Sequence, residues 1–252
     1  MLNRLKRNIT ILKKYLKKSQ SEGKKILFLT TSNRWEGSGE IAKSSMLANE
    51  IAKDLDNCQV LDVSKLKIFP CEGNVSRGER NKCGIKESML NDPGKNPHKI
   101  IRCWASINNP TDQMHTVANK IYESDIIIFF GSIRWGKMNS IYSTLMERLT
   151  WMEARHSSLG ESNLLKNKEA GIIAMGHNWN VQSAVELEKD VLRFYGFKVP
   201  KELSFWRQWT FDSGDESLSG YRKDYFEFMK EFDLVKSIKE GLENFSKWIE
   251  KI

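Results

Sequence analysis

The sequence has few cysteines and no long apolar run, and each absence excludes a class of protein. The four cysteines of the 252-residue chain include no C-x-x-C pair (Cys58, Cys71, Cys83 and Cys103). Such scattered thiols neither build a disulfide framework nor match the spacing of a standard metal site. No stretch approaches the roughly 18 apolar residues of a transmembrane helix, and the N-terminus lacks a signal-peptide core. We therefore expect a reduced, cytoplasmic protein without a bound metal.

Acidic residues are nearly absent from the first 25 positions, which hold nine Lys and Arg against Glu22 alone. The formal net charge of the whole chain is +8, so the remainder of the chain is neutral. A neutral body lacks the basic surface that nucleic-acid-binding proteins present. We therefore expect a small-molecule partner and no nucleic acid.

Amphipathic helices are predicted at both ends of the chain. Within residues 1–22, apolar residues recur at spacings of four and three among the basic ones (Leu5, Ile9, Leu12 and Leu16). Residues 212–252 combine a linker with a similar stripe (Val235, Ile238, Leu242, Phe245, Ile249 and Ile252). Each stripe needs a covering surface, either the body or a second subunit, which makes a homodimer or homotetramer plausible. The basic N-terminal helix has a second interpretation, contact with an anionic membrane surface through residues 1–20.

The region 23–211 is predicted to form an α/β domain with a parallel, doubly wound sheet of about five strands, because strand-like and helix-like segments alternate along it. Residues 40–55 read as a helix with Ile41 on its inner face. Residues 66–113 hold four of the five prolines and read as an irregular insertion. An insertion of that length in a compact domain is usually functional.

Residues 126–155 form the central strand–loop–helix unit. Five β-branched or aromatic residues, Ile126 to Phe130, predict a strand that is buried on both faces. Gly131 is predicted to end the strand, and 132–137 to form a loop. Asn139 or Ser140 can then cap a helix, because a short polar side chain satisfies a first-turn backbone N–H.

Three polar loops, 30–39, 131–138 and 176–180, follow buried strands. In a flavodoxin-like strand order their strands are neighbours, so the loops meet at one edge of the sheet. The first loop is rich in hydroxyls and glycine and opens a helix, which favours a phosphate site. Trp135 and Trp179 in the other two loops suit a planar ligand. A phosphate and a ring system held in this way match flavin mononucleotide (FMN).

Two rival motifs overlap the first loop. Gly37-x-Gly39-x-x-Ala42 resembles a dinucleotide-binding fingerprint, for which Asp62 would supply the ribose acid. The same glycine begins Gly37-x-x-x-x-Ala42-Lys43-Ser44, which is close to a nucleotide-binding P-loop but lacks its last glycine. The fingerprint should begin where the strand ends, and Gly37 comes seven residues after Thr30. Both motifs remain alternatives to the flavin interpretation.

Two of the loops also resemble those of the NADPH-dependent FMN reductases. The segment 31–38, TSNRWEGS, is similar to their phosphate loop, and 131–136, GSIRWG, to the Gly-Ser-Pro-x-Tyr/Trp-Gly loop beside the flavin ring. Cys71 and Cys83 resemble the cysteine segment of related iron–sulfur flavoproteins, without the compact cluster motif. The resemblance implies a flavodoxin-like fold with bound FMN and a set of cofactor contacts (Thr31, Ser32, Arg34, Gly37, Ser38, Gly39, Ser132, Ile133, Arg134, Trp135, Gly136, Gly176 and His177).

The hypothesis that follows is an FMN-dependent oxidoreductase. A hydride from NADPH or NADH would reduce the flavin, and a quinone-like, aromatic or metal acceptor would take the electrons. The cofactor supplies the chemistry, so no catalytic side chain is required. A flavodoxin-like electron carrier without its own NAD(P)H activity is the alternative, although carriers of that kind tend to be small and acidic.

Overall fold

The structure, a computed structural model, describes residues 2–34, 41–74, 83, 89–211 and 228. Within these ranges the helices are α1 (Leu2–Ser21), α2 (Lys43–Ala52), α3 (Trp104–Asn108), α4 (Met114–Glu123), α5 (Ser140–Leu159) and α6 (Val181–Phe194). The strands are β1 (Ile26–Thr30), β2 (Cys58–Asp62), β3 (Ile126–Arg134), β4 (Lys137–Met138), β5 (Glu169–Gly176) and β6 (Phe205–Gln208). The predicted α/β architecture is confirmed.

Five of the strands form one parallel sheet in the order β2-β1-β3-β5-β6, and β4 pairs antiparallel with the end of β3. The predicted flavodoxin-like arrangement is therefore confirmed, because β1, β3 and β5 are neighbours. Alternate residues of the apolar strands enter two separate cores. In β3, Ile127 and Phe129 pack with α4, α5 and α6, whereas Ile128 and Phe130 pack with α1 and α2.

Helix α1 packs its apolar stripe on the body of the protein. Leu5, Leu12 and Leu16 are at most 2% exposed and lie in the same core as Phe28 of β1. This burial decides between the two interpretations of the helix, because the stripe is covered by the sheet and does not face a membrane. None of the described helices combines the length and apolar character needed to cross a membrane. The predicted linker and tail helix over 212–252 lie outside the described residues apart from Phe228, and the homo-oligomer stays a prediction.

The central unit differs from the sequence prediction at Gly131, which continues the strand. Strand β3 extends to Arg134 and turns directly into β4. A Cβ atom at Gly131 would lie 2.2 Å from Cε of Met138. A side chain at this position would force the Met138 side chain of β4 to shift, and the predicted loop 132–137 is a β-hairpin.

Two other segments differ from the sequence prediction. Helix α2 begins at Lys43 rather than at residue 40, and Ile41, predicted to face the core, is 54% exposed ahead of the helix. The insertion 66–113 is not wholly irregular, because it contains the short helix α3. In both segments the prediction used only the local apolar or proline pattern, and tertiary contacts decide the actual structure.

A buried ion pair fixes the insertion to helix α5. The guanidinium of Arg148 donates to both carboxylate oxygens of Asp112, at 2.9 and 2.8 Å, and both side chains are fully buried. Arg148 also donates to the Phe69 carbonyl at 2.7 Å and to Oγ of Ser106 at 2.7 Å. Burial alone would raise the pKa of Asp112, but the hydrogen bonds from Arg148, the Phe69 backbone and Ser106, together with the charge of Arg148, hold that pKa below its ordinary value.

We expect Arg148→Met to lower the free energy of unfolding by about 3–5 kcal/mol, because it leaves the Asp112 carboxylate buried without its partner. The double variant Arg148→Met/Asp112→Leu removes both charges and should lose less. The exposed pair Arg193–Asp190 offers the control, and Arg193→Met should change stability by less than about 0.5 kcal/mol.

Urea unfolding of the four proteins at neutral pH measures these differences. The lowered pKa of Asp112 means that its contribution is present above the pKa of the unfolded carboxyl and is lost as the pH falls through the folded one. If Arg148→Met is as stable as the double variant, or more stable, the ion-pair interpretation is wrong.

Candidate functional site

The parallel register brings the three predicted loops to one edge of the sheet. Thr30 of β1 is level with Phe130 of β3, and Ser132 of β3 is level with Met175 of β5. Beyond these strand ends lies a cleft of about 600 Å³, within the range typical of small-molecule and cofactor sites. The residues lining it come from every loop at this edge (Ser32, Asn33, Arg34, Ala42, Lys43, Ser44, Ser132, Ile133, Arg134, Trp135, Gly136, Met175, Gly176, His177, Asn178, Trp179 and Trp209).

One wall of the cleft is the N-terminus of helix α2. Oγ of Ser44 donates to Oγ of Ser32 across 2.7 Å, which joins the helix to the end of the first loop. Ala42 is the N-cap residue and supplies no side-chain capping bond, and the first turn contains no acidic residue. A helix N-terminus without an internal acceptor attracts anions through its backbone N–H groups and its dipole. This wall therefore suits a phosphate.

The opposite wall is the β3–β4 hairpin, whose two-residue turn is Trp135-Gly136. Both residues have positive φ, 51° and 70°, as a type I′ turn requires. Nδ2 of Asn180 donates to the Gly136 carbonyl at 2.6 Å, and a Cβ atom at Gly136 would lie 2.9 Å from the Trp179 ring. The contacts of Asn180 and Trp179 thus hold the turn in place, while the Trp135 side chain remains 86% exposed.

Asn139 connects the first loop, the hairpin and helix α5. Its Oδ1 accepts from the Tyr142 backbone N–H at 3.1 Å, which caps the helix as predicted. Its Nδ2 donates to Oγ1 of Thr31 at 3.3 Å and to both oxygens of Ser132 at 3.4 Å. Because the side chain is 95% buried, these bonds form away from water and hold the three elements together.

The third loop is tied to the end of strand β6. The His177 carbonyl accepts from the backbone N–H groups of Trp209 and Thr210, at 2.9 and 3.0 Å. The ammonium of Lys43 lies 3.9 Å from the centroid of the Trp209 ring, which is a cation–π contact between α2 and the segment that follows β6. The cleft therefore lies over the ends of β3 and β5, and its walls are joined to one another.

The described residues that line the cleft include the cations Arg34, Lys43 and Arg134 and no aspartate or glutamate. Such a lining attracts an anion and lacks a carboxylate for acid–base catalysis. Nowhere among the described residues do three His, Cys, Asp or Glu side chains come together in a way that could hold a metal ion. The arrangement can bind an anionic molecule with a planar part.

Most of the sequence-predicted contacts line the cleft (Ser32, Arg34, Ser132, Ile133, Arg134, Trp135, Gly136, Gly176 and His177). Thr31 lies behind the wall: it is fully buried and its Oγ1 donates to the Phe130 carbonyl at 3.1 Å. Gly37, Ser38 and Gly39 lie outside the described residues. Their roles as cofactor contacts stay predictions.

Sequence reasoning missed Lys43, Ser44 and Trp209 as members of the site. Lys43 and Ser44 were considered only as part of a P-loop-like motif, although they begin the helix that follows the first loop. Trp209 follows the last strand, and the rule that the carboxyl ends of parallel strands share one edge would have indicated it.

Asp62, the acid of the rival dinucleotide motif, has a local structural role. Its Oδ1 accepts from the backbone N–H and the Oγ of Ser64, at 3.1 and 2.6 Å, and so caps a short 3₁₀ helix over Val63–Lys65. It stands at the end of the edge strand β2 and does not line the cleft. The dinucleotide motif therefore lacks its acid among the described residues that line the cleft.

Comparisons with solved structures find chains of the same architecture. RosB, solved with the intermediate 8-demethyl-8-formylriboflavin-5′-phosphate, aligns with a TM-score of 0.50 and 18% identity over 90% of this chain and 86% of its own. This chain shares its fold. No known family model matches the sequence, and no curated protein matches it either.

Two further structures align at lower scores. An azoreductase from Bacillus anthracis str. Sterne has a TM-score of 0.44 and 15% identity over 91% of this chain and 100% of its own. FerB, a flavoenzyme NAD(P)H:(acceptor) oxidoreductase from Paracoccus denitrificans, has a TM-score of 0.43 and 13% identity over 90% and 98%. At these identities the likeness concerns the fold alone.

We expect Trp135→Asn to raise the free energy of unfolding by about 1 kcal/mol. A non-glycine residue at positive φ is strained, and asparagine tolerates that conformation better than tryptophan. The exposed indole buries little area that the substitution could lose. Thermal unfolding measures the difference, with Trp135→Ala as the matched control that lacks the preference of asparagine. Equal stability of the two variants would show that the turn is not strained.

We expect Asn139→Ala to lower the free energy of unfolding by about 2 kcal/mol, of which the helix cap and the buried donor bonds contribute about 1 each. Asn139→Ser retains a capping oxygen but is too short to reach Thr31, so about half of the loss should remain. Urea unfolding distinguishes the two variants. Equal losses in the two variants would mean that the helix cap contributes nothing and that only the donor bonds of Asn139 matter.

Proposed function

We propose that this protein binds FMN non-covalently and is an NAD(P)H-dependent oxidoreductase that passes electrons to a quinone-like, aromatic or metal acceptor. The observation that supports this most is the composition of the cleft. A helix N-terminus and three cations line it, two indoles border the opposite wall, and no acid is present among its described lining residues.

The phosphate would bind at the N-terminus of helix α2. Ser32 and Ser44 place two hydroxyls there, and the first turn offers backbone N–H donors without a side-chain cap. Arg34 and Lys43 add positive charge at the same wall. Hydrogen bonds from charged donors to phosphate are roughly twice as strong as neutral ones, so this wall would orient the molecule.

The ring system would lie along the hairpin and the third loop, beside Ser132 to Gly136 and against Gly176 and His177. FMN, when bound, supplies the two-electron chemistry that connects a nicotinamide with an acceptor. The protein would contribute binding and orientation: Trp179 and Asn180 keep the hairpin turn in place, and Arg134 would oppose negative charge on the ring system. RosB, which shares the fold, was solved with a riboflavin 5′-phosphate derivative bound, in keeping with this proposal.

Flavin titration of the purified protein tests the proposal. FMN should be retained with visible flavin absorption, and riboflavin should bind more weakly because it lacks the phosphate. Arg34→Gln should weaken FMN binding about tenfold and leave riboflavin binding unchanged, since one charged hydrogen bond is lost. Lys14→Gln, a charge removal on the exposed face of α1, is the matched control.

A protein that retains no flavin, or one that binds FMN and riboflavin equally, would contradict the proposal. NADPH oxidation by the FMN-loaded protein in the absence of a partner protein separates an enzyme from an electron carrier. Flavin binding without such oxidation would assign the carrier role instead.

A further inference from the structure

The hairpin tip, residues 134–137, places two positive charges directly opposite each other. Arg134 and Lys137 are cross-strand partners, so their side chains share one face of the hairpin. Both are exposed, and neither has an acidic partner among the described residues. Like charges in this position repel and destabilise a hairpin. The pair therefore forms an unneutralised cationic site.

An exposed indole stands between these two cations in the chain. Trp135 is 86% exposed and has a φ of 51°, a conformation that few residues other than glycine, asparagine and aspartate adopt. The backbone beneath it is fixed by the hydrogen bond from Asn180 to Gly136 and by the Trp179 ring. The tip therefore presents an aromatic face and two cations on a backbone that other residues hold in place. The positive φ of Trp135 and the like-charge pair both lower the stability of the free hairpin.

The hairpin tip extends past the proposed cofactor cleft. Arg134 and Trp135 line the mouth of the cleft, but Lys137 is not among the residues that line it. The proposed phosphate wall lies on the other side, at helix α2. A molecule bound at the tip would therefore meet the cleft from outside rather than occupy the position of the cofactor.

We propose that the hairpin tip binds one of the two substrates of the reaction and that this substrate is an aromatic ring bearing an anionic group. The ring would stack on Trp135, and the anion would lie between Arg134 and Lys137. A neutral ring would use only the indole, and an inorganic anion only the cations. This inference depends on the proposed function for its reaction, but the binding itself can be measured without turnover.

The test uses a redox-inert pair of probes, 2-naphthalenesulfonate and 2-naphthol, which differ in charge and share the ring. Calorimetric titration of the protein with FMN added should show tighter binding of the sulfonate. Lys137→Gln should weaken the sulfonate about fivefold and leave 2-naphthol unchanged, since an exposed charge contact is removed. Trp135→Ala should weaken both probes.

Lys14→Gln and Phe194→Ala are matched controls, an exposed cation on α1 and an 82% exposed aromatic on α6, and neither should change binding. High salt should remove most of the preference for the sulfonate. Equal affinity for the two probes, or a Lys137→Gln variant that binds the sulfonate like the wild type, would overturn the inference.

Two substrates carry this chemistry, the nicotinamide dinucleotide and an anionic aromatic acceptor, and steady-state kinetics separates them. If the dinucleotide binds at the tip, Lys137→Gln raises KM for NADPH alone; if the acceptor does, it raises KM for a sulfonated naphthoquinone alone. An unchanged KM for both would show that the tip does not serve the reaction. Loss of FMN binding, by contrast, would overturn the proposed function and leave the probe measurement valid.

Discussion

The candidate site depends on one buried amide, the side chain of Asn139. Its oxygen caps helix α5, and its nitrogen donates to Thr31 at the end of β1 and to Ser132 in β3. Parallel strands bring the loops to the same edge of the sheet, but they do not by themselves fix the separation between one loop and the next. The hydrogen bonds of this buried amide, which contacts all three elements, do fix that separation, because a rearrangement would leave polar atoms unsatisfied away from water.

Helix α5 also connects the site to the insertion 66–113. Asn139 precedes its first turn, and the Arg148–Asp112 pair anchors residues of the insertion farther along the same helix. Separating that pair would expose two charges to an apolar interior, so the anchored part of the insertion cannot open readily. The cleft and the anchored residues are therefore joined through one helix.

The fold could be predicted from the sequence because its signals are local and repeated. The run Ile126 to Phe130 indicates burial on both faces, and the helix spacings show which side of each helix faces the sheet. The hairpin could not be predicted in this way. Gly131 resembles a strand end in the sequence, and only the pairing of Ile133 with Met138 shows that the strand continues past it and then folds back. Lys43 and Trp209 were missed for a similar reason, because they lie 166 positions apart in the sequence and meet through a contact that no spacing rule contains.

Two departures from local rules occur together at the candidate site. Tryptophan is a poor residue for a turn with positive φ, and two cations are a poor cross-strand pair, yet both occur within the hairpin tip, residues 134–137. Elsewhere in the described sheet, the apolar strand residues agree with their surroundings. Natural sequences tolerate such local conflicts where binding requires them and offset the loss through the rest of the fold. Here the offset is visible in the contacts beneath the turn, where Asn180 and Trp179 hold a conformation that the turn residues alone would not favour.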